Sequence, residues 1–277
     1  MVRLGIFNYI NIWPVYYRFL FGDVPPQISL VQGLPTELNE GLQKETIDVS
    51  CISSIQYAHL QNEIFLIPSL ALASRGPVKS VFLVTKKPLE KFSGGKIFTT
   101  KASATSVVLL KILLDFFQVK GEFFPSSSPL NAFLENGDGC LIIGDEALRF
   151  GASFKKDAGL YLHDLSALWV QFTGKPFVWS LWGIRKESAK NASLLLKTLL
   201  ESRDEGLSKL SCIAEAAAKK MGLTQDYMEH YFRGFRYTLA EEEKEGLLLF
   251  YEEAAKRNLS PDCSTLNFLE SEELVCF

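Results

Sequence analysis

The chain has 277 residues, 47% of them hydrophobic, which suffices for one or two packed domains. A formal charge of -3 with no Lys/Arg cluster gives no electrostatic reason to expect a nucleic-acid partner or an anionic membrane surface, so a small-molecule partner is expected. The opening stretch MVRLGIFNYI has no signal-peptide pattern and no apolar run reaches the roughly 18 residues of a spanning helix, so the expected location is the cytoplasm.

Short apolar runs alternate with helical periods from the start, and the alternation predicts parallel α/β organisation. RLGIFN is followed by a short helix from about Pro14, then ISLVQG, the helix PTELNEGLQ, IDVSCIS, the helix SIQYAHL and IFLIPSLALAS. A second series begins near residue 96: KIFTT, the helix ATSVVLLKILLDFF, EFFPSS, the helix PLNAFLEN, GCLIIGD, a short helix EALRF, and LYLHDL. SVFLVTKK and PFVWSLWGIRKE flank the second series and read as extended crossings. Two lobes follow, with residues 1–85 and 179–277 in the first and 86–178 inserted as the second. From about residue 188 the spacing turns to amphipathic helices, expected to pack on the first lobe. Glu241, Glu242 and Glu243 read as a solvated first helical turn complementing the helix dipole, because consecutive helical carboxylates diverge and do not enclose a metal.

Five cysteines, Cys51, Cys140, Cys212, Cys263 and Cys276, form no CxxC pair and are expected to be reduced and structural. The three histidines, His59, His163 and His230, fall in no HExxH pairing and beside no GxSxG elbow, which weighs against metal hydrolysis and triad chemistry. No metal is expected.

Ligands of open α/β sheets sit beyond the carboxyl ends of the strands, so the polar residues there are the candidates. The first strand is followed by Asn8 and Asn11, IDVSCI by Ser53 and Ser54, and KIFTT by Ser103, Thr105 and Ser106. The last three open a long helix, where they either cap it or bind a carboxylate together with free N–H groups. Gly76-Pro77 in SRGPVKS makes a turn that presents Ser74, Arg75 and Ser80 at the cleft edge; an arginine there suits a carboxylate, although an ordinary surface arginine fits as well. Gly144 and Asp145 follow GCLII as either ligand contacts or a plain strand-to-helix turn. Of the four tryptophans, Trp13 is the best placed to wall a site.

Taken in order, NYINIWPVYY, PTELNEGL, DVSCISSIQYA, SRGPVKSV, TTKASATSVVLLKILL, LIIGDEALR and FTGKPFVWSLW resemble the chorismate dehydratases of the futalosine route to menaquinone, over roughly residues 3–186. The resemblance implies a type II periplasmic-binding-protein-like clamshell: two α/β lobes joined by two crossover segments, with the C-terminal helical region on the first lobe. It also implies cofactor-independent loss of water from chorismate to give 3-[(1-carboxyvinyl)oxy]benzoate. Within it, Asn11 matches the family's amide after the first strand, Ser80 matches the serine that closes its GPV turn, and the SATS hydroxyls hold a carboxylate. The motifs offer no protein base, so the substrate's enolpyruvyl carboxylate is expected to take the proton. Two alternatives stay open: the later 1,4-dihydroxy-6-naphthoate synthase of the same route, which relies on a cleft histidine for which His163 is the candidate, and a non-catalytic binder of an aromatic carboxylate.

Overall fold

In the first third of the chain, three short runs rich in Val, Ile and Leu form β1 (Val2–Ile6), β2 (Ile28–Gln32) and β3 (Val49–Ser53). They pair in parallel, with β1 in the middle, and helices α1 (Tyr17–Phe21) and α2 (Pro35–Gln43) lie in the two connections. The computed structural model describes residues 1–155 and 159–270; Cys276 and the end of the expected first lobe lie outside the described residues. After α3 (Ser54–Leu60), β4 (Ile64–Ser74) carries the chain to the edge of this sheet.

The second sheet is built from β5 (Val81–Thr85), β6 (Gly95–Thr100), β7 (Gly121–Ser126), β8 (Gly139–Ile143) and β9 (Tyr161–Asp164). Helices α4 (Ala104–Phe116), α5 (Pro129–Asn136) and α6 (Gly144–Ser153) connect its parallel strands, and α7 (Leu165–Thr173) follows β9. β10 (Phe177–Arg185) then re-enters the first sheet, antiparallel between β3 and β4, and β11 (Phe235–Arg236) adds a short edge. The strand orders are β11-β4-β10-β3-β1-β2 and β7-β6-β8-β5-β9.

Strand pairing moves the expected division. The sequence places β5 with the first lobe, yet β5 pairs with β8 and β9 in the second sheet, so the chain leaves the first sheet within residues 75–80 and returns within 174–176. Among the described residues of the inserted region, α7 and a single 3-10 turn at Leu89–Lys91 are the helical elements absent from the sequence reading.

The remaining helices are α8 (Ser193–Ser208), α9 (Leu210–Met221), α10 (Gln225–Arg233) and α11 (Glu241–Lys256). α8 docks on α1, where Ser202 Oγ accepts from the Arg18 N–H at 2.9 Å. The tail is not confined to the first lobe. α11 packs on β10 and also on α4, and Arg257 beyond its end reaches Asp115 at 2.8 Å. Gly246 permits this approach, because a Cβ there would stand 2.2 Å from the Pro176 carbonyl oxygen. Within the first turn of α11, Glu243 is 1% exposed and paired with Arg236, so that turn is less solvated than its sequence suggests.

No helix among the described residues is long and apolar enough to cross a membrane.

Candidate active site

Parallel strands β1, β3, β6 and β8 end on the same side on which antiparallel β5 and β10 begin, and a cleft of about 660 Å³ lies among those ends. Phe7, Tyr9, Asn11, Ser53, Leu72, Trp179 and Ser180 line it from the first sheet's side. Ser80, Val81, Ala102, Ser103, Ser106, Ile143 and Gly144 line it from the second, and Phe235 reaches it from the tail. Among the described residues, no Asp, Glu, His, Lys or Arg lines this wall.

Asn11 follows β1 in the loop before α1. Its Oδ1 is buried without a hydrogen-bond partner, while its main-chain carbonyl accepts from Tyr237 Oη at 3.1 Å. An unpartnered amide oxygen at a cleft wall is costly unless a ligand donates to it. Ser80 ends the turn between the two sheets. Gly76 and Lys79 adopt positive φ of 156° and 59° there, the latter uncommon for a residue with a side chain. The turn is clamped by Asp164, whose carboxylate accepts the Lys79 N–H at 2.7 Å and, on its other oxygen, the Ser166 and Ala167 N–H groups that begin α7. Burial raises the Asp164 pKa, and the N–H donors, Lys79 foremost, pull it back. The Ser80 carbonyl accepts the Gly144 N–H at 2.8 Å, and its hydroxyl reaches the Val78 carbonyl only at 3.4 Å.

Ser103 caps α4, its Oγ accepting the Ser106 N–H at 3.2 Å and lying 2.9 Å from Ser106 Oγ. Both hydroxyls also line the cleft, at a helix start whose opening N–H groups lack intrahelical partners. Capping and ligand contact are therefore compatible at these two residues. Ser53 lines the cleft at the start of α3 without a capping bond of its own, and Gly144 begins α6 at a φ of 63°, a backbone state that favours glycine.

The other expected site residues stand off this wall. Asn8 is exposed and accepts the Trp13 indole N–H at 2.7 Å; Trp13 is packed away, and Trp179 is the tryptophan that lines the cleft. Thr105 is 1% exposed and faces α3, where its Oγ1 accepts the Ile55 N–H at 3.0 Å and lies 3.4 Å from Ser54 Oγ. The residues expected as two cradles thus join a helix of one sheet to a helix of the other. Ser74 is fully buried, accepts the Trp179 indole N–H at 2.8 Å and lies 2.6 Å from Ser166 Oγ. Arg75 pairs with Glu242 at 2.5 Å. Asp145 stands in the first turn of α6, which packs on residues 10–12 after β1; burial raises its pKa, against the pull of Lys220, the Ile10 N–H and Arg149.

His163 lies on β9 with Nε2 3.0 Å from Thr85 Oγ1, outside the cleft, and burial lowers its pKa. His59 and His230 are likewise absent from the wall. Tyr9, Trp179, Ser180 and Phe235 are wall residues that the sequence reading passed over. Ser180, paired opposite Ser53, carried a usable signal as the polar interruption of the apolar run FVWSLW.

A two-sheet fold with a cleft among its strand ends defines the class. Solved structures share it: a protein from Archaeoglobus fulgidus aligns with a TM-score of 0.74 at 19% identity, over 93% of this chain and 98% of that one. The alkanesulfonate-binding protein of Xanthomonas axonopodis pv. citri aligns at 0.63 and 14% identity, over 94% of each chain. The periplasmic aliphatic sulphonate binding protein of Escherichia coli aligns at 0.64 and 16%, over 97% of this chain and 93% of that one. At these identities the likeness is one of fold, periplasmic-binding-protein-like. The sequence is more specific: residues 2–256 match the family described as menaquinone biosynthesis, and the chain belongs to that family. Curated relatives named chorismate dehydratase include one from Thermus thermophilus, 32% identical over 261 residues, 90% of this chain and 93% of the relative. Another, from Campylobacter jejuni, is 29% identical over 197 residues, 70% of this chain and 72% of the relative.

Proposed function

We propose that this chain is a chorismate dehydratase, a hydro-lyase that removes water from chorismate to give 3-[(1-carboxyvinyl)oxy]benzoate in menaquinone biosynthesis by the futalosine route. The observation that carries the proposal is the wall itself: a carboxamide and several hydroxyls meet at one cleft, with no acidic or basic side chain among its described residues. Chorismate brings two carboxylates, an ether and a ring hydroxyl, so it needs neutral hydrogen-bonding groups to orient it more than it needs a protein base.

In this scheme Asn11 and Ser80 touch the reacting region and Ser103 and Ser106 hold a carboxylate across the cleft, with Ser53 and the Gly144 backbone completing the contacts. The C–H bond at the enolpyruvyl-bearing carbon breaks, its proton passes to the substrate's enolpyruvyl carboxylate, and the neighbouring C–O bond breaks as the hydroxyl leaves. Return of the proton to the departing oxygen completes water, and aromatisation of the ring drives the elimination. An intramolecular base held in reach can supply on the order of 7 kcal/mol or more through proximity, so the scheme requires no cofactor.

The two sheets with their helices act as two lobes joined at residues 75–80 and 174–176. Buried free thiols at Cys51, Cys140 and Cys263 suit a reducing compartment and support action in the cytoplasm. The naphthoate synthase alternative is disfavoured by the position of His163 on β9. Incubation of the protein with chorismate, followed by absorbance and mass detection, tests the proposal: appearance of the product supports it, and chorismate recovered unchanged leaves a binding protein.

A further inference from the structure

The segment from α10 to Tyr237, just past β11, belongs to neither lobe's run of strand-end motifs, yet it touches both proposed reacting residues. Tyr231 is 3% exposed and its Oη donates to Ser80 Oγ at 3.0 Å. Six residues on, Tyr237 is 4% exposed and its Oη donates to the Asn11 main-chain oxygen at 3.1 Å. Between them Phe235 packs edge-on against Tyr231, with centroids 5.1 Å apart, and lines the cleft. Ser80 and Asn11 belong to different sheets, one just before β5 and the other after β1, so this short stretch spans them.

We infer that Tyr231 and Tyr237 are positioning residues for the dehydration, Tyr231 holding the Ser80 hydroxyl and Tyr237 holding the Asn11 loop in the geometry the reaction uses. The inference rests on the dehydratase function proposed above. A buried phenol must find a partner for its O–H, and each of these two spends its proton on a residue of the proposed reacting pair. With Tyr231 donating to Ser80 Oγ, the serine's own proton has only the long Val78 contact to hold it, so it is available to the cleft. Donation into an oxygen that is itself a donor strengthens the next bond in the chain, here the one from Ser80 to the leaving hydroxyl. Tyr237 acts on the backbone and leaves the Asn11 carboxamide free, in keeping with its unpartnered Oδ1.

Tyr231→Phe and Tyr237→Phe keep the rings and remove only the bonds. Steady-state kinetics with chorismate and melting curves should give, for each, a kcat about tenfold below the parent, the factor that corresponds to one ordinary hydrogen bond lost from the transition state, with KM and melting temperature near parental values. In the Ser80→Ala background the Tyr231→Phe change should add no further loss. A kcat within twofold of the parent overturns the inference. So does a loss in which kcat, KM and melting temperature all worsen together, which describes hydrogen bonds that hold the fold and not the reaction geometry, or an equal additional loss in the Ser80→Ala background, which describes a Tyr231 effect that does not pass through Ser80. A parent protein that leaves chorismate unchanged removes the dehydratase function, and the inference falls with it; an active parent with unimpaired variants removes the inference alone.

Discussion

Replacing Thr105 by Val separates a lobe-joining role from a ligand-binding one. The side chain is 1% exposed and its Oγ1 supplies the opening turn of α3 with a bond that Ser53, at the capping position, does not provide. Valine keeps the branched shape and removes the acceptor, which leaves the Ile55 N–H buried and unpaired. Such an orphan costs about 1–3 kcal/mol. The cost falls on the arrangement in which α3 and α4 are in contact, because water can satisfy the N–H once they part. Chorismate needs both sides of the cleft together, so its affinity should fall by about 5- to 150-fold, the same free energy expressed as a dissociation constant. Titration calorimetry on the parent and Thr105→Val reads this directly. An affinity within twofold of the parent would show that the contact between α3 and α4 contributes nothing to the ligand-competent form, and the reasoning from the buried Ile55 donor would be refuted.

Asn11→Ala should lower kcat more than it changes KM, because an amide that orients the proton transfer binds most strongly in the transition state; equal losses of affinity and thermal stability would reduce Asn11 to a turn residue. At Asp48, burial works to raise the pKa, but the bonds from Arg3, with that from Ser188, outweigh it and hold the carboxyl at about 2 against 3.8. A depressed carboxylate stabilises the fold above its unfolded pKa and loses that contribution as pH falls through the folded one, so Asp48→Asn should cost about 2 kcal/mol at neutral pH, with the difference shrinking from pH 4 down to pH 2 in denaturant titrations. A penalty unchanged across that window would mean the charge is not what matters. Gly246→Ala should destabilise by about 1–3 kcal/mol, through overpacking against the Pro176 carbonyl, as read from urea midpoints; a neutral result would show that α11 can shift away from the return connection.

Periodicity alone was enough to read the alternating strands and helices. PTELNEGLQ, SIQYAHL and PLNAFLEN form helices over those same residues, because an apolar stripe and a boundary residue are local properties. Partner choice is not local. VFLVT and FVWSLWGIR are similar apolar runs, yet one pairs in the second sheet and the other lies antiparallel inside the first. α7 was hidden because LSALWVQFT is apolar on most sides and its cap, Asp164, is also the last residue of β9, so no turn separates strand from helix. At the site, Ser103, Thr105 and Ser106 look alike in sequence, but a helix turns each by about 100°, so two face the cleft and the third faces α3. Ser74 and Ser80 differ in the same way: one hydroxyl is used up by Trp179 and Ser166, while the other remains on the wall. Tyr231 and Tyr237 gave no signal at all, since nothing local distinguishes them from any buried tyrosine.

A wall with no charged side chain among its described residues would also govern how strong a base the proposed substrate is when bound. A carboxylate enclosed by hydroxyls, a carboxamide and aromatic rings loses its hydration without meeting a cation, and burial of that kind raises proton affinity, by up to about 3–5 units when complete. An arginine in the same place would grip the anion more firmly and lower its pKa by about 1–3 units. For a reaction in which that anion removes a proton from carbon, the firmer grip would quiet the very group that has to act. The guanidinium nearest the entrance by sequence, Arg75, is instead engaged by Glu242. In the proposed reaction, that pairing would keep the Arg75 charge from the cleft and leave the substrate's carboxylate basic.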